Sequence, residues 1–287
     1  MTTCFFVSDM HGHIDRYKKL FSEIRSHRPD ILFIGGDVLP GGEIYRKKLK
    51  KYYYNFVMDF LVPEMEKLKK ELRTEYPEVY IIMGNDDSRV NEKYFIAADE
   101  MGVWKYINEK KVCYQNYTIF GYSYIPPTPF MLKDWEKYDI SRFVDVGTVS
   151  PEQGVRSVNK DIREIQYETI QRDLKELAKE QDLSSAIFLL HAPPYRSAHD
   201  RAALDGMKVD HAPLDVHVGS IAIQQFIKEK QPYITLHGHI HESSRITGKW
   251  YENIGRTHTL SAAYHGKELA LIIFDLEDPF RAKRLIL

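Results

Sequence analysis

The sequence predicts an α/β fold built on a parallel sheet, and three observations carry that expectation. Short apolar runs alternate with helix-patterned segments through the first half of the chain, as in successive β-α-β units. Five apolar runs each end in a polar block rich in Asp, Asn or His, the look of buried strands whose tips carry chemistry. The composition is that of an ordinary globular chain of 287 residues, 43% hydrophobic with a net charge of −1. That length allows one large domain with ample buried surface.

The elements follow in order. A strand over Thr3–Ser8 leads through a helix near Ile14–Arg25 to a strand at Asp30–Ile34. Glu43–Glu75 reads as a long helical stretch split by Pro63, because proline removes an intrahelical hydrogen bond. A strand at Val79–Met83 completes the β-α-β-α-β series. Lys111–Tyr124 reads as a hairpin turning near Gln115-Asn116. Residues 125–159 look irregular, with Pro126-Pro127, Pro129 and Gly154 among several aromatics. Asp161–Gln181 is helical by the spacing of Ile165, Ile170, Leu174 and Leu177. Ile187–Leu190 and Tyr233–Leu236 are strand-like. Ile221–Lys228 opens as a helix with Ser220 as its N-cap. Lys249–Ile254, Thr257–Ser261 and Leu269–Leu276 are short β-like runs. Neither an internal repeat nor a long linker divides the chain, so residues 1–287 read as a single domain with a lip or insertion at about 122–160.

Composition narrows the function classes. The net charge gives no global pull on nucleic acid or anionic membrane. The two cysteines, Cys4 and Cys113, do not suggest a disulfide scaffold. No apolar stretch has the length to span a bilayer. The N-terminus has no basic region, and a polar block begins at Asp9, so no signal peptide is expected and the location is read as cytoplasmic. The histidines are the anomaly: of 12, seven fall between His191 and His241.

The five polar blocks are Asp9-Met10-His11, Gly36-Asp37, Gly84-Asn85-Asp86-Asp87, His191 and Gly238-His239-Ile240-His241. Together they read as a ligand set for two metal ions, and hence as metal-assisted attack on phosphorus. Their order resembles the calcineurin-like metallophosphoesterase superfamily from about Thr3 to about Ser261. The resemblance implies a four-layer α-β-β-α sandwich of two mixed sheets flanked by helices. It also implies that Asp9, His11, Asp37 and His241 bind one metal, and that Asp37, Asn85, His191 and His239 bind the second. Asp37 is then the bridge. The spacing of His239 and His241 suits an extended segment, in which alternate residues lie about 7 Å apart. Mixed imidazole and oxygen donors fit two divalent or trivalent ions of Mn, Fe, Zn, Ni or Co. A water activated by the metals would attack phosphorus in a small phosphoester or nucleotide, either a monoester or a diester.

One position departs from the family pattern. Most of the superfamily carries a leaving-group His where this chain has Asp86. Beside two cations Asp86 is expected to be ionised, so it cannot donate a proton. His13 or a metal-bound water would then serve, although a solvated His13 is an equal reading. A scaffold branch of the superfamily also lacks that His and binds proteins, which makes a scaffold with little catalysis the alternative function. The complete ligand set favours the enzyme.

The substrate candidates are thinner. Tyr122–Trp135, with Thr128 and Lys133, reads either as a lip over the metals or as a rigid surface loop. Arg89 is either a phosphate contact or a solvated arginine. Tyr195 is a rim or base-stacking candidate. His217 leads into the Ser220-capped helix, whose N-terminus is a candidate anion site. The basic run Arg46–Lys51, followed by Tyr52-Tyr53-Tyr54, suggests nucleic acid. With Tyr53, Phe56, Val57 and Phe60 packing inward, however, it reads as the wet side of a helix. Nucleic acid is therefore an unfavoured partner.

Overall fold

A computed structural model describes residues 1–41, 53–179 and 181–287. The Arg46–Lys51 run and Tyr52 lie outside the described residues.

The first sheet contains β1 (Thr3–Val7), β2 (Ile31–Gly35), β3 (Glu78–Ile82), β4 (Lys105–Tyr106), β13 (Ala270–Asp275) and β14 (Asp278–Ile286), in the order β14-β13-β1-β2-β3-β4. Its β1–β2, β2–β3 and β3–β4 pairs are parallel, and β13 joins β1 and β14 antiparallel. The second sheet contains β5 (Lys110–Tyr114), β6 (Tyr117–Tyr122), β7 (Ala186–Leu190), β10 (Ile234–His237), β11 (Tyr251–Ile254) and β12 (Thr257–Ser261), in the order β11-β12-β10-β7-β6-β5. Its centre is parallel and its two edges are antiparallel hairpins. A small ribbon pairs β8 (Lys208–Val209) with β9 (Ala212–Pro213). Both large sheets are mixed, with helices on their flanks.

Side-chain alternation explains the layers. Cys4 and Phe6, Ile31 and Phe33, Tyr80 and Ile82 from the first sheet share one apolar cluster with Ile187, Leu189, Ile234 and Leu236 from the second. The intervening residues face the helices. Phe5, Val7, Leu32 and Ile34 pack with Leu20, Phe21 and Ile24 of α1 (Ile14–His27) and with Met65 and Leu68 of α2 (Val62–Leu72). On the second sheet, Phe120, Phe188 and Leu190 belong with Ile170 and Leu174 of α5 (Ile170–Ala178) and Ile223 and Phe226 of α6 (Ile221–Lys230). Each large apolar side chain so buried contributes about 1.5–3 kcal/mol. The remaining helices are α3 (Glu92–Glu100), α4 (Ile162–Tyr167) and α7 (Ser243–Thr247).

Two local expectations change, and one element is new. Pro63 does not break its helix: a π-helical turn at Val57–Leu61 runs into α2, and Pro63 sits in the first turn, where its missing N–H costs least. The Asp161–Gln181 helix is two, because Thr169 takes an extended backbone and caps α5 by accepting from Arg172 N, as Asp161 caps α4 from Arg163 N. The long final strand β14 has no counterpart in the apolar runs, since its exposed residues alternate with few apolar ones.

Candidate metal centre

β1, β2 and β3 are parallel neighbours, and so are β7 and β10, so their C-terminal tips cluster at one end of the two sheets. The five polar blocks ride on those five tips. Backbone hydrogen bonds lace the loops together: Asp9 N donates to Gly36 O, His11 N to Asp37 O, and Gly238 N to His191 O. Asp87, fully buried, accepts from Val38 N, Leu39 N and Gly84 N and so clamps the loop after β3 onto the loop after β2. Burial, with Asp37 nearby, pushes its carboxyl up to about 7.

Close approach dictates the glycines in two blocks. A Cβ on Gly36, whose φ is +97°, would lie 2.6 Å from His191 Nδ1. One on Gly84 would lie 2.4 Å from Asp37 Oδ1. Asp9, His11, Asp37 and His239 all take left-handed φ values, of 56°, 45°, 50° and 74°. Such strain in non-glycine residues costs about 1–3 kcal/mol each and collects at functional sites.

Two donor groups result. Single ligand atoms of Asp9, His11, Asp37 and His241 all lie within 4.8 Å of one another, and so do those of Asp37, His191 and His239. Asp37 belongs to both. Asn85 Oδ1 joins the second group, 3.1 Å from His191 Nε2. The His11 and His241 Nε2 atoms face each other at 3.1 Å. Asp37 Oδ2 stands 3.8 Å from His11 Nε2 and 3.4 Å from His191 Nε2. His239 and His241 do not lie on an extended segment: β10 ends at His237, and the chain turns through left-handed His239. The turn lets His239 N donate to Asp9 Oδ1 at 3.0 Å.

The charge balance is unusual. Burial works to raise the Asp9 and Asp37 carboxyls, yet neighbouring imidazoles outweigh it. Asp9 falls below the ordinary carboxylate range through His241, and Asp37 falls to about 2 through His191. Burial would lower His191, but Asp37 lifts it to about 10. Burial, aided by His191, holds His239 down at about 3. Two buried carboxylates therefore demand positive charge, and two facing imidazole nitrogens need either a proton or a cation to satisfy both lone pairs. A metal pair fits both requirements.

The family model for calcineurin-like phosphoesterases matches residues 2–243. The chain belongs to that family. These are metal-dependent hydrolases of phosphoesters, so the calcineurin-like fold and the donor groups answer to one another. No curated protein matches the chain. Its structure is similar to TT1561 of Thermus thermophilus, with a TM-score of 0.57 at 14% identity over 99% of this chain and 98% of that one. It is also similar to a dimetal phosphatase from Danio rerio, with a TM-score of 0.52 at 11% identity over 99% and 98%. Likeness at these identities is one of fold.

In this phosphoesterase the other candidate residues separate. Asp86 lines the cleft beside the donor groups, half-exposed, with Oδ2 3.5 Å from His11 Nδ1. From the protein groups alone, burial and Asp37 raise its carboxyl; adjacent cations would pull it the other way. His13 is exposed at the start of α1 and is not among the residues lining the cleft. Arg89 is not a cleft residue either. It donates to Glu92 and Tyr124 and stacks over Trp135, 4.9 Å from the ring centre. Lys133 is fully buried and pairs with Glu136 at 2.6 Å. Thr128 touches the cleft, but its hydroxyl donates to Glu136. Tyr195 and His217 line the cleft; Tyr195 donates to Asp215 and His217 Nδ1 contacts buried Asp200. The N-terminal amides of α6 are taken by Asp139, which leaves them no anion to hold from outside. Asp139, Asp200 and the clamp Asp87 carried no role in the sequence reading. Only Asp87, the last residue of the third polar block, had a local signal.

No described helix is long and apolar enough to cross a membrane.

Proposed function

We propose that the chain hydrolyses a small phosphoester, monoester or diester, at a centre of two transition-metal ions, with residues 122–160 as a lip on a single domain. Asp9, His11, Asp37 and His241 would hold one ion; Asp37, Asn85, His191 and His239 would hold the other. The observation that most supports this is Asp37, whose carboxylate belongs to both donor groups. Oxygen and imidazole donors together suit Mn, Fe, Zn, Ni or Co. A bound pair supplies nucleophilic water at neutral pH and neutralises charge at phosphorus.

The residues' own part is orientation. His191 Nδ1 donates to Gly35 O at 2.8 Å, which leaves Nε2 as the nitrogen that would give up its proton to a bound cation. Asp86 N donates to Asp37 Oδ1 at 2.8 Å and fixes the shared carboxylate. Asp86, once ionised, accepts protons but donates none, so the leaving group departs as its own anion. The two thiols, buried Cys4 and exposed Cys113, are free and suit a cytoplasmic setting.

Elemental analysis of the purified chain tests the reading, together with a screen of phosphomonoesters, phosphodiesters and cyclic nucleotides. The expected result is a pair of transition-metal ions per chain, with turnover lost on chelation and restored by added metal. A folded chain that binds metal poorly and turns over none of these esters with any of the five metals would favour the protein-binding scaffold instead.

A further inference from the structure

The cleft that opens from the donor groups has a volume of about 550 Å³. Away from His11, Asp37 and Asn85 the cleft has an apolar stretch of wall, built by Pro126, Pro129, Phe130, Phe143, Leu204 and Leu214, with carboxylates interspersed. Phe130 and Phe143 are 59% and 76% exposed. Large apolar side chains held in water around a concave site mark ligand contact.

Three carboxylates of that wall are engaged within the protein. Asp139 accepts from Ser220 Oγ and the first amides of α6. Asp215 accepts from Tyr195, and Glu242 accepts from Ala203 N. Charge decides the rest. Among the described residues no Lys or Arg lines the cleft, while Asp86, Asp139, Asp145, Asp215 and Glu242 do. A second anionic group on a substrate, lying away from the metals, would meet carboxylates with no cation to offset them.

We propose that this site takes phosphoesters whose only anionic group is the phosphate, and whose remainder is a neutral, carbon-rich chain or ring lying along the Phe130–Phe143 wall. The proposal rests on the metal centre described above, which would hold the phosphate.

The test is calorimetric titration of the full-length, Mn²⁺-loaded protein with alkylphosphonates from methyl to octyl. An octylphosphonate ending in a carboxylate and a naphthyl phosphonate complete the set. Affinity should rise about fourfold for each methylene buried, and the terminal carboxylate should remove at least about tenfold of that gain. A naphthyl ligand tighter than octyl would assign the wall to rings, and the reverse would assign it to chains; either supports the proposal. Phe130→Asp and Phe143→Asp, both at exposed positions, should each cut the octyl-to-methyl affinity ratio. An affinity flat with chain length, or a tighter fit for the carboxylate-ended ligand, would overturn the proposal. Methylphosphonate binding that ignores Mn²⁺ would overturn the metal centre alone, because the chain-length slope is read in either case.

Discussion

Asp37 in the strand-tip centre and Glu136 in the 122–160 segment are both buried carboxylates, each 2% exposed, yet their proton affinities move in opposite directions. Burial works to raise both. At Asp37 the imidazoles of His191 and His11 outweigh it and hold the group at about 2. At Glu136 burial wins over Lys133 and Thr128, and the group rises to about 7. The surroundings explain why. Glu136 closes a local circuit: it takes Lys133 Nζ, Thr128 N and Thr128 Oγ1, and Lys133 also donates to Thr128 O. That circuit folds the segment and needs nothing further. Around Asp37, carboxylates and imidazoles converge beyond what the loops require, some on strained backbone. Polar groups that satisfy one another build structure; polar groups that converge without satisfying one another mark a site whose charge is completed from outside.

The largest effect should come from breaking the unsatisfied side. Asp37→Ala removes the shared donor, so both metals should be lost and turnover abolished. Metal content by elemental analysis and kcat/KM would be read together. Near wild-type values for both would end the two-metal account.

Next comes the leaving group. With Asp86 at the usual His position, aryl esters should outpace alkyl esters by about 10²–10⁴-fold, the contribution a general acid normally makes. Asp86→His should flatten that dependence if the imidazole reaches the leaving oxygen. Rates of the wild-type chain indifferent to leaving-group pKa, with chemistry limiting, would point to another proton donor, and among the described residues His217 is the cleft imidazole outside the two donor groups.

The satisfied side should break differently. Lys133→Met leaves Glu136 buried without its partner and should cost about 3–5 kcal/mol in urea unfolding. Lys133→Met combined with Glu136→Gln should recover most of that loss. A single variant as stable as the wild type would mean the pair does not hold the segment.

The smallest effect is one of pH. Glu136 titrates from its ordinary 4.5 up to about 7 in the fold, so the native state binds a proton more tightly than the unfolded chain. Its contribution is therefore present below about 4.5 and is lost as pH rises toward about 7. Stability should fall across that window, and the Lys133→Met/Glu136→Gln variant should lose this share of the slope. Unfolding free energies at several pH values check it; an unchanged slope would assign the dependence elsewhere.

Much of this protein was determined locally. The alternation of apolar runs and helical patterns made the two strand sets and α1 legible, since a strand buried on both faces writes a continuous apolar run into the chain. The seven candidate donors could be picked out because each follows such a run, and a strand tip is where a polar side chain leaves the core. Ser220 as a helix cap was equally local. Other features belong to tertiary structure alone. The family resemblance implied that Asp37 is shared, but what brings the two donor groups to it is the meeting of tips from two sheets over more than 150 residues of sequence. Where Thr128, Lys133 and Arg89 point was decided by partners: Glu136, Glu92, Tyr124 and Trp135 turn them inward or cover them. The left-handed turn at His239 comes from the loops it must join rather than from its own preference. Periodicity reports whether a residue is buried; only packing decides which partner it is buried against, and that choice separates a lysine that binds phosphate from one that holds a loop.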